Sequence, residues 1–372
     1  MKNLLHIESE KDYKYQIIVP VFNEEKILNR ILKHAKDNFY LENIVIANDA
    51  SIDSSKEILR KWENEEDLKV NHLEVNRNKE GAILDTLIKL KNENRLLPYT
   101  ILLDADTMLS FDKLGMSVHE QINQAIQHLN DNNYGAMALR VNATYYDKPN
   151  IPYLSSYAIY YGLQFDCWLI GKNNKLWVIN GAGGIFKSDE LIDVIKCINK
   201  TFETGDLEIT VEYMKRGRKI QLYNNIEATT FVPDTFLKLF NQRRRWERGT
   251  TKVIWNELFF YTKQLLPPNF LGLALILHFA LYVGLIFTIL AIFKDNVTNE
   301  TLLDIMLMSF LFWLAVDYSK GAYVAYINKK RDLYHYLLAA LINAPIWILI
   351  VIPARLFGFT EAIKDIYLKK GK

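Results

Sequence analysis

The stretch TILLDADT (100–107) decides the fold of the first half of the chain. It joins a short run of β-branched and aliphatic residues to two acidic residues one position apart, Asp104 and Asp106. Such a run, bounded by polar residues, is typical of a buried strand. A carboxylate pair at the end of a strand can hold a divalent metal ion against a diphosphate, because Mg²⁺ prefers oxygen ligands. The stretch therefore predicts a strand that ends in a metal and diphosphate site.

Similar apolar runs and helical patterns precede this stretch. Two of them predict strands and three predict amphipathic helices: 15–22 and 44–47 as strands, and 24–36, 54–65 and 81–91 as helices. Asn23 is a suitable N-cap for the first helix. Strands that alternate with helices indicate a parallel sheet whose ligands bind at the carboxyl ends of the strands. Polar residues stand at these ends, which increases their functional weight: Asn23, Glu24, Asn48, Asp49, Asp104 and Asp106.

Length and charge limit the functions that are open to the chain. It has 372 residues, half of them hydrophobic, which suits one α/β domain with a smaller appendage. Its formal net charge of +2 gives no support for nucleic-acid binding, which normally shows a clustered basic excess. The two cysteines form no CxxC pair or Cys/His cluster of the kind that binds zinc. Because the N-terminus lacks the apolar core of a signal peptide, we expect the catalytic half to stay in the cytosol.

The last third of the chain is strongly apolar and predicts a membrane domain. Residues 270–293 carry no acidic or basic residue other than one histidine, and they are long enough to cross a hydrocarbon core of about 30 Å. Residues 337–354 form a second, shorter run that Pro345 and Pro353 interrupt, and 302–326 contain a third. We therefore expect about three transmembrane helices in an integral protein of the inner or plasma membrane.

Charged residues near these apolar runs help to predict how the spans are oriented in the membrane. Asp317 and Lys320 lie three residues apart and either face each other on one helix or sit at the level of the lipid headgroups. Basic residues flank the predicted spans on sides that we expect in the cytosol: Arg243, Arg244, Arg245, Arg248, Lys252 and Lys263 before 270–293, and Lys329, Lys330 and Arg331 between 302–326 and 337–354. Three crossings would put the basic tail outside, against this rule. Either the tail is an interfacial helix inside, or one span is re-entrant.

Seven blocks of the sequence resemble, in order and spacing, those of family 2 glycosyltransferases: PVFNEE (20–25), NDASID (48–53), NRNKEGAIL (76–84), LDADT (103–107), GAGGIFK (181–187), TGDLEIT (204–210) and QRRRW (242–246). The chain is most similar to the membrane-embedded processive branch with the cellulose, chitin, hyaluronan and poly-N-acetylglucosamine synthases. This resemblance implies an α/β GT-A fold with a mostly parallel sheet. It implies three parts: a cytosolic GT-A domain (1–234), amphipathic interfacial helices with the QxxRW motif (235–268), and a membrane domain (269–372).

The resemblance also implies roles for residues of the first part. Asp104 and Asp106 are the DxD motif, which binds Mg²⁺ or Mn²⁺ and the donor diphosphate. Four residues match the nucleotide pocket: Phe22 against the base, Asp49 as the acceptor of a hydrogen bond from uracil, and Glu24 and Lys79. Asn48 departs from the pattern, because the family usually has an acidic residue there.

Asp206 in TGDLEIT aligns with the catalytic base of the family. Direct displacement at an anomeric carbon needs one carboxylate to take the proton of the acceptor hydroxyl. A single base implies inversion at that carbon. Gly205 stands where the pattern usually has glutamate, and Glu208 is a rival for the role.

The QxxRW motif is expected to bind both substrates. The resemblance implies that Arg245 pairs with diphosphate oxygens, that Trp246 stacks on the acceptor sugar, and that Gln242 donates or accepts a hydrogen bond nearby. The alternative is a basic helix on anionic lipid, and for three neighbouring residues we favour that interpretation: Arg243, Arg244 and Arg248.

The leading hypothesis is an inverting, metal-dependent hexosyltransferase that uses a UDP-sugar and extends a polysaccharide at the membrane. The alternative is transfer of one sugar to a membrane lipid such as ceramide or diacylglycerol. A third hypothesis is an inactive membrane partner subunit that keeps the fold, although it would not need to keep these motifs. Few spans make a complete export channel hard to build from one chain, and assembly into a homo-oligomer would compensate.

Overall fold

The computed structural model describes residues 12–38, 40–111, 115–199, 203–265, 269–276, 278–280, 284, 299–327 and 333–370. The strands are β1 (Tyr15–Val21), β2 (Ile44–Asn48), β3 (Lys69–His72), β4 (Tyr99–Leu102), β5 (Thr107–Phe111), β6 (Tyr134–Thr144), β7 (Gly184–Lys187) and β8 (Lys219–Phe231). The helices are α1 (Leu28–Asp37), α2 (Ser55–Glu66), α3 (Asn78–Asn92), α4 (Val118–Asp131), α5 (Ile151–Gly171), α6 (Ser188–Cys197), α7 (Gly205–Lys215), α8 (Phe236–Asn256), α9 (Leu258–Lys263), α10 (Phe270–Ala280), α11 (Asn299–Ile327), α12 (Leu333–Ile346) and α13 (Ile352–Lys370).

The chain divides into two compact units, and both are made of several segments. The first unit contains 1–140, 179–200 and 211–230, and the second contains 141–178, 201–210 and 231–372. The boundaries at 234 and 268 that the sequence led us to expect stay a prediction.

The sheet has the strand order β3-β2-β1-β4-β7-β6-β8-β5. β1 pairs in parallel with β2 and β4, and β2 pairs in parallel with β3. β4 with β7, β6 with β7, and β5 with β8 are antiparallel. The prediction of a mostly parallel sheet was therefore wrong: the sheet is mixed. Its antiparallel half is built from strands after residue 106, which the helix–strand alternation of the first hundred residues does not include.

The elements predicted before residue 104 are confirmed within a few residues. β1 is central and flanked by two strands, so residues on both of its faces are buried, as with Ile17 and Ile18. The predicted helices correspond to α1, α2 and α3.

The prediction that Asn23 caps α1 was wrong. Asn23 has a φ of 60°, and α1 begins five residues later, at Leu28. Its side-chain oxygen accepts a hydrogen bond from the N–H of Ile52 (2.9 Å), and its own N–H donates to the hydroxyl of Ser51 (3.1 Å). Asparagine tolerates the left-handed conformation and bonds locally, so here it joins the loop after β1 to the loop after β2.

In the second unit, α13 packs along α8, and α11 and α12 pack on each other and on α5. A small apolar cluster of Leu239, Ile346 and Val351 contains residues of α8, of α12 and of the π-helical turn Trp347–Val351. Pro345 lies inside α12, where it has no N–H to donate. A π-helical turn next to such a proline is the usual way to continue a helix whose hydrogen bonding is interrupted.

One helix in the described part of the chain is long and apolar enough to cross a membrane: Leu333–Leu368, with a mean hydropathy of 2.3 over its most apolar window. It contains the predicted span 337–354. The predicted span 270–293 lies largely outside the described residues, and its described part is the short apolar helix α10.

Asp317 and Lys320 of α11 each have a partner on another helix. The side-chain nitrogen of Asn343 donates to Asp317 Oδ2 (2.7 Å), and Lys320 Nζ donates to both carboxylate oxygens of Asp166 (2.9 and 3.2 Å). Because Asn343 lies on α12 and Asp166 on α5, these bonds join three helices of the second unit.

Candidate active site

Two carboxylates follow β4 in the first unit, where the sequence predicts the metal site. Lys79 Nζ forms a hydrogen-bonded ion pair with Asp104 Oδ1. Asp106 Oδ1 accepts hydrogen bonds from the hydroxyls of Thr230 (3.1 Å) and Thr107 (3.2 Å). Burial, together with the neighbouring charge of Asp104, raises the pKa of Asp106 to about 6, against the opposite effect of the two threonine hydrogen bonds.

The carboxylate of Glu24 is affected by the charges of Asp104 and Asp106. Burial and, after it, repulsion from Asp106 and Asp104 raise the pKa of Glu24 to about 7. The backbone N–H of Glu24 donates to the hydroxyl of Ser55 (2.9 Å), which fixes the loop after β1. Three acidic side chains of the first unit therefore repel one another, and a cation would relieve that repulsion.

The residues present fit a divalent metal ion. Asp104 and Asp106 offer hard carboxylate oxygens, and the ammonium group of Lys79 already places positive charge beside Asp104. The residues that the structure describes contain no group of three or more His, Cys, Asp or Glu side chains suited to hold a metal. A Mg²⁺ or Mn²⁺ ion on this pair would therefore complete its coordination with phosphate oxygens and water, as Mg²⁺ usually does.

Gly181 makes room for the ion pair of Lys79 and Asp104. A Cβ at this position would clash with Lys79 Nζ and would lie 3.6 Å from each carboxylate oxygen of Asp104. Any side chain here would displace the ammonium group. Sequence reasoning left open whether the glycine stretch approaches a sugar or forms a turn, and it missed this packing role.

Asp49 and Asn48 hold the loops around the predicted nucleotide pocket. Asp49 is buried, and its Oδ1 accepts a hydrogen bond from the N–H of Arg77 (2.6 Å), at the start of α3. Burial raises the pKa of Asp49. Asn48 lies 2.9 Å from His72 Nδ1 and accepts from the N–H of Ser51 (3.2 Å), which gives this unusual asparagine a structural role. Contact of Asp49 with a base stays a prediction.

Phe22 has the exposure that the prediction requires. Its side chain is 46% exposed at the end of β1, as an aromatic ring must be if it is to contact a base. Its role stays a prediction.

Asp206 lies in the first turn of α7 and belongs to the second unit. It is half-buried, whereas its rival Glu208 is buried. Its Oδ1 accepts from the N–H of Leu207 (2.9 Å), and its carbonyl oxygen accepts from the hydroxyl of Thr210 (2.7 Å). The greater exposure of Asp206 favours it over Glu208 as a base that must meet a substrate.

The segment before Asp206 is held by α8 and α13. Glu203 pairs with Arg248 (3.3 Å) and Lys252 (3.4 Å), and both of these cations also pair with Asp365 of α13 (2.6 and 2.7 Å). Next to this cluster, Thr204 packs on α8 at Gly249, where a Cβ would come within 2.6 Å of the threonine hydroxyl. Sequence reasoning missed these residues, because nothing in a single sequence links 203, 248 and 365.

The QxxRW motif lies in the middle of α8, whose N-cap Thr235 accepts from the N–H of Lys238 (3.3 Å). Gln242 and Trp246 are half-buried and Arg245 is exposed. The Trp246 ring lies edge-on to Tyr160, with 6.3 Å between ring centroids.

The three arginines expected on anionic lipid make contacts within the second unit, and their contact with lipid stays a prediction. Arg244 pairs with Glu361 of α13 (3.3 Å), and Arg248 pairs with Asp365 and Glu203. Arg243 is buried with its guanidinium over the Trp246 ring, 4.1 Å from the ring centroid. Burial lowers the pKa of Arg243 to about 10, so that it is still charged at neutral pH.

Comparison with known proteins assigns the first part of the chain to a family. Residues 16–182 match the family model described as glycosyl transferase family 2. These residues form a family 2 glycosyltransferase domain. The protein is accordingly a glycosyltransferase. The matched glycosyltransferase domain contains the carboxylates after β4 and ends before Asp206 and the QxxRW motif, whose roles stay predictions.

One solved structure supports the fold of the glycosyltransferase. The mannosyltransferase PcManGT from Pyrobaculum calidifontis, in complex with GDP-Man and Mn²⁺, superposes with a TM-score of 0.54 at 16% identity, covering 91% of this chain and 88% of that one. This likeness shows the GT-A fold. TarS of S. aureus (1–349) in complex with UDP is 18% identical and covers 89% of this chain and 88% of its own. Its TM-score is 0.41, which is too low to assign a fold. No curated protein sequence matches the chain.

Proposed function

We propose that the protein transfers a hexose, with inversion, from a UDP-sugar to a growing polysaccharide at a membrane surface. The observation that carries the proposal is the convergence of Asp104, Asp106, Lys79 and Glu24 at the end of β4 inside a family 2 domain. A site with this charge distribution suits the diphosphate of a nucleotide sugar together with a divalent cation.

Each residue then has a chemical role. Asp104 and Asp106 would hold Mg²⁺ or Mn²⁺, which offsets the charge that develops on the leaving diphosphate. Asp206 accepts the proton of the acceptor hydroxyl while the hydroxyl oxygen bonds to the anomeric carbon. The bond from that carbon to the diphosphate oxygen breaks, UDP leaves, and the configuration inverts. An oxocarbenium-like transition state is expected, as in glycoside hydrolysis.

The QxxRW motif of the second unit would contact the acceptor through two residues and the donor diphosphate through one. Trp246 offers an aromatic ring for the acceptor sugar, Gln242 a hydrogen bond, and the exposed Arg245 a planar donor fork for diphosphate oxygens. The apolar helix Leu333–Leu368 supports a membrane location for this acceptor.

A second candidate function is transfer of a single sugar to a membrane lipid. It is favoured by one observation: α13, the end of the long apolar helix, packs on α8 through ion pairs instead of adding a further crossing. Little apolar helix in the described residues is then left to line a channel for a polymer.

The experiment that tests the proposal is a donor screen on membranes that contain the protein. A panel of UDP-sugars, with GDP-mannose as an alternative nucleotide, is incubated with Mg²⁺ or Mn²⁺, and nucleotide release and product size are measured together. Long products early in the reaction with one UDP-sugar support polysaccharide synthesis. Products limited to one sugar on a lipid support the second candidate, and release from GDP-mannose alone contradicts the choice of UDP.

A further inference from the structure

Arg243 has a buried charged side chain that makes no hydrogen bond to the residues that the structure describes. Only 4% of the residue is exposed. Its Nε, Nη1 and Nη2 atoms are buried and make no hydrogen bond in the described part of the chain. The guanidinium group lies over the Trp246 ring, 4.1 Å from its centroid, and the like-charged Arg355 repels it. The side-chain oxygen of Gln242, one residue before, is also buried without a hydrogen bond among the described residues.

The carboxylate of Glu247, which is close to Arg243 in the sequence, forms its ion pairs with other residues. Glu247 lies one turn further along the same buried face of α8, where an ion pair with Arg243 would be favourable. Its Oε2 instead accepts from Arg355 (2.7 Å), and its Oε1 lies 3.2 Å from His278 Nε2. The contact of Arg243 with Trp246 uses the face of the guanidinium group, whereas the five N–H donors point out of its edge. Those donors need an acceptor, and a buried charge without one is costly.

We propose that Arg243 binds a phosphate-type oxyanion that enters beside Trp246, and that the side-chain oxygen of Gln242 accepts a hydrogen bond from a hydroxyl of the same ligand. The planar guanidinium fork matches two phosphate oxygens and suits such a ligand better than a lysine would. The three nitrogens have no access to solvent in this conformation, so binding requires the side chain to turn away from the Trp246 ring. The cost of the unpaired charge favours that movement as soon as an anion is present.

The other arginines of the motif differ from Arg243 in this respect. Arg244 and Arg248 already pair with carboxylates, and Arg245 is exposed to solvent, where its charge needs no partner. The proposal therefore rests on contacts within the second unit and does not depend on the donor or the acceptor named above. The oxyanion has two possible sources, a nucleoside diphosphate and the phosphate of a membrane lipid.

Binding to the full-length protein in detergent tests the proposal, with two ligands in separate arms. One arm is UDP with Mn²⁺, and the other is vesicles of phosphatidylglycerol, with phosphatidylcholine vesicles as the uncharged reference. The variants are Arg243→Met, which removes the charge at similar volume, Arg243→Lys, which keeps it, and Arg244→Met as the matched control. We expect Arg243→Met to weaken binding roughly 10–100-fold in one arm, because hydrogen bonds to charged groups are strong. The ligand whose binding is weakened by Arg243→Met identifies the source of the oxyanion.

The same variants supply a measurement that does not depend on binding. Because the guanidinium group is buried without a hydrogen-bond acceptor among the described residues, and the side chain of methionine can pack on Trp246 in its place, Arg243→Met is expected to unfold at the same temperature as the wild type or at a higher one without ligand. Arg243→Lys should retain part of the affinity that Arg243→Met loses. The proposal is overturned if Arg243→Met binds both ligands as the wild type does, if Arg244→Met loses as much affinity, or if Arg243→Met unfolds at a clearly lower temperature, since the guanidinium group would then have a structural partner.

Discussion

The substitution Gly249→Ala tests whether α8 positions the segment that carries Asp206. An added Cβ would lie 2.6 Å from Oγ1, 2.7 Å from Cγ2 and 3.1 Å from Cβ of Thr204. Carbon atoms pack best at about 3.5–4.0 Å, so the two groups must separate by about 1 Å. Thr204 cannot easily turn away, because it is β-branched and has few rotamers. Its carbonyl oxygen also accepts the N–H groups of Leu207 (3.1 Å) and Glu208 (3.3 Å), so it moves together with the start of α7.

The expected effect on stability is small and the expected effect on turnover is large. Alanine stabilises a helix by about 1 kcal/mol relative to glycine, while overpacking costs about 1–3 kcal/mol. The free energy of unfolding should therefore fall by roughly 0–2 kcal/mol. Asp206 follows Thr204 by two residues, and a shift of about 1 Å at a catalytic group costs about 100-fold in rate. We expect kcat to fall by roughly that factor while KM for the nucleotide sugar stays within about twofold, since the residues proposed to hold the donor diphosphate are unchanged.

Steady-state kinetics and thermal unfolding of three variants check this reasoning. Gly162→Ala is the matched control, because it lies on a helix of the same unit and its Cβ would meet Lys320 Cδ at 3.7 Å and Lys320 Nζ at 4.0 Å, which are ordinary contacts. The double variant Gly249→Ala with Thr204→Ala removes the two closest atoms and should recover most of kcat. A single Gly249→Ala variant with wild-type kcat refutes the positioning role, and so does a loss that the second substitution fails to reverse.

Three further predictions concern the same chemistry. Asp206→Asn is expected to abolish transfer and leave UDP binding nearly unchanged by calorimetry, and full activity would remove it as the base. Chelation of divalent metal should stop turnover, and added Mn²⁺ should restore it; turnover that continues in chelator contradicts the role of Asp104 and Asp106. Asp365→Asn should lower kcat more than it changes nucleotide KM, because it loosens Arg248 and the segment that Arg248 holds, while Asp365→Glu should keep most activity. Equal loss in both variants of Asp365 would point to a packing role instead.

The fold was predictable where the signals are local. β1, β2 and β4 are short runs of β-branched and aliphatic residues, and each ends in polar residues that the sheet places at one edge. Pairing of β5 with β8 has no such local signal, because partners such as Phe111 and Ile226 are more than a hundred residues apart. The sequence therefore indicated the acidic site at the end of β4 but not the mixed sheet around it.

The site was predictable in its residue types and less so in its contacts. The DxD pair was recognisable because it ends an apolar run and stands in order with the other sequence blocks that resemble the family. Three consecutive arginines in QRRRW, by contrast, look alike in a sequence, and only the helix decides which one points inward. Arg243 does so because it follows the buried Leu239 by four residues. That spacing was visible in the sequence, whereas the engagement of Glu247 by Arg355 was not.

The packing of α13 on α8 bears on how the chain would meet a bilayer. The apolar helix Leu333–Leu368 has 36 residues and hence a length of about 54 Å, well above a hydrocarbon core of about 30 Å. Its second half makes the ion pairs with α8, through Arg355, Glu361 and Asp365. Charged residues paired in this way belong outside the core, on the same side as α8 and its basic residues. For a chain embedded in a membrane, as we propose, this arrangement would require an even number of crossings between α8 and α13. Such a number would remove the conflict of the basic tail with the positive-inside rule, and two spans, or three with one re-entrant, would satisfy it.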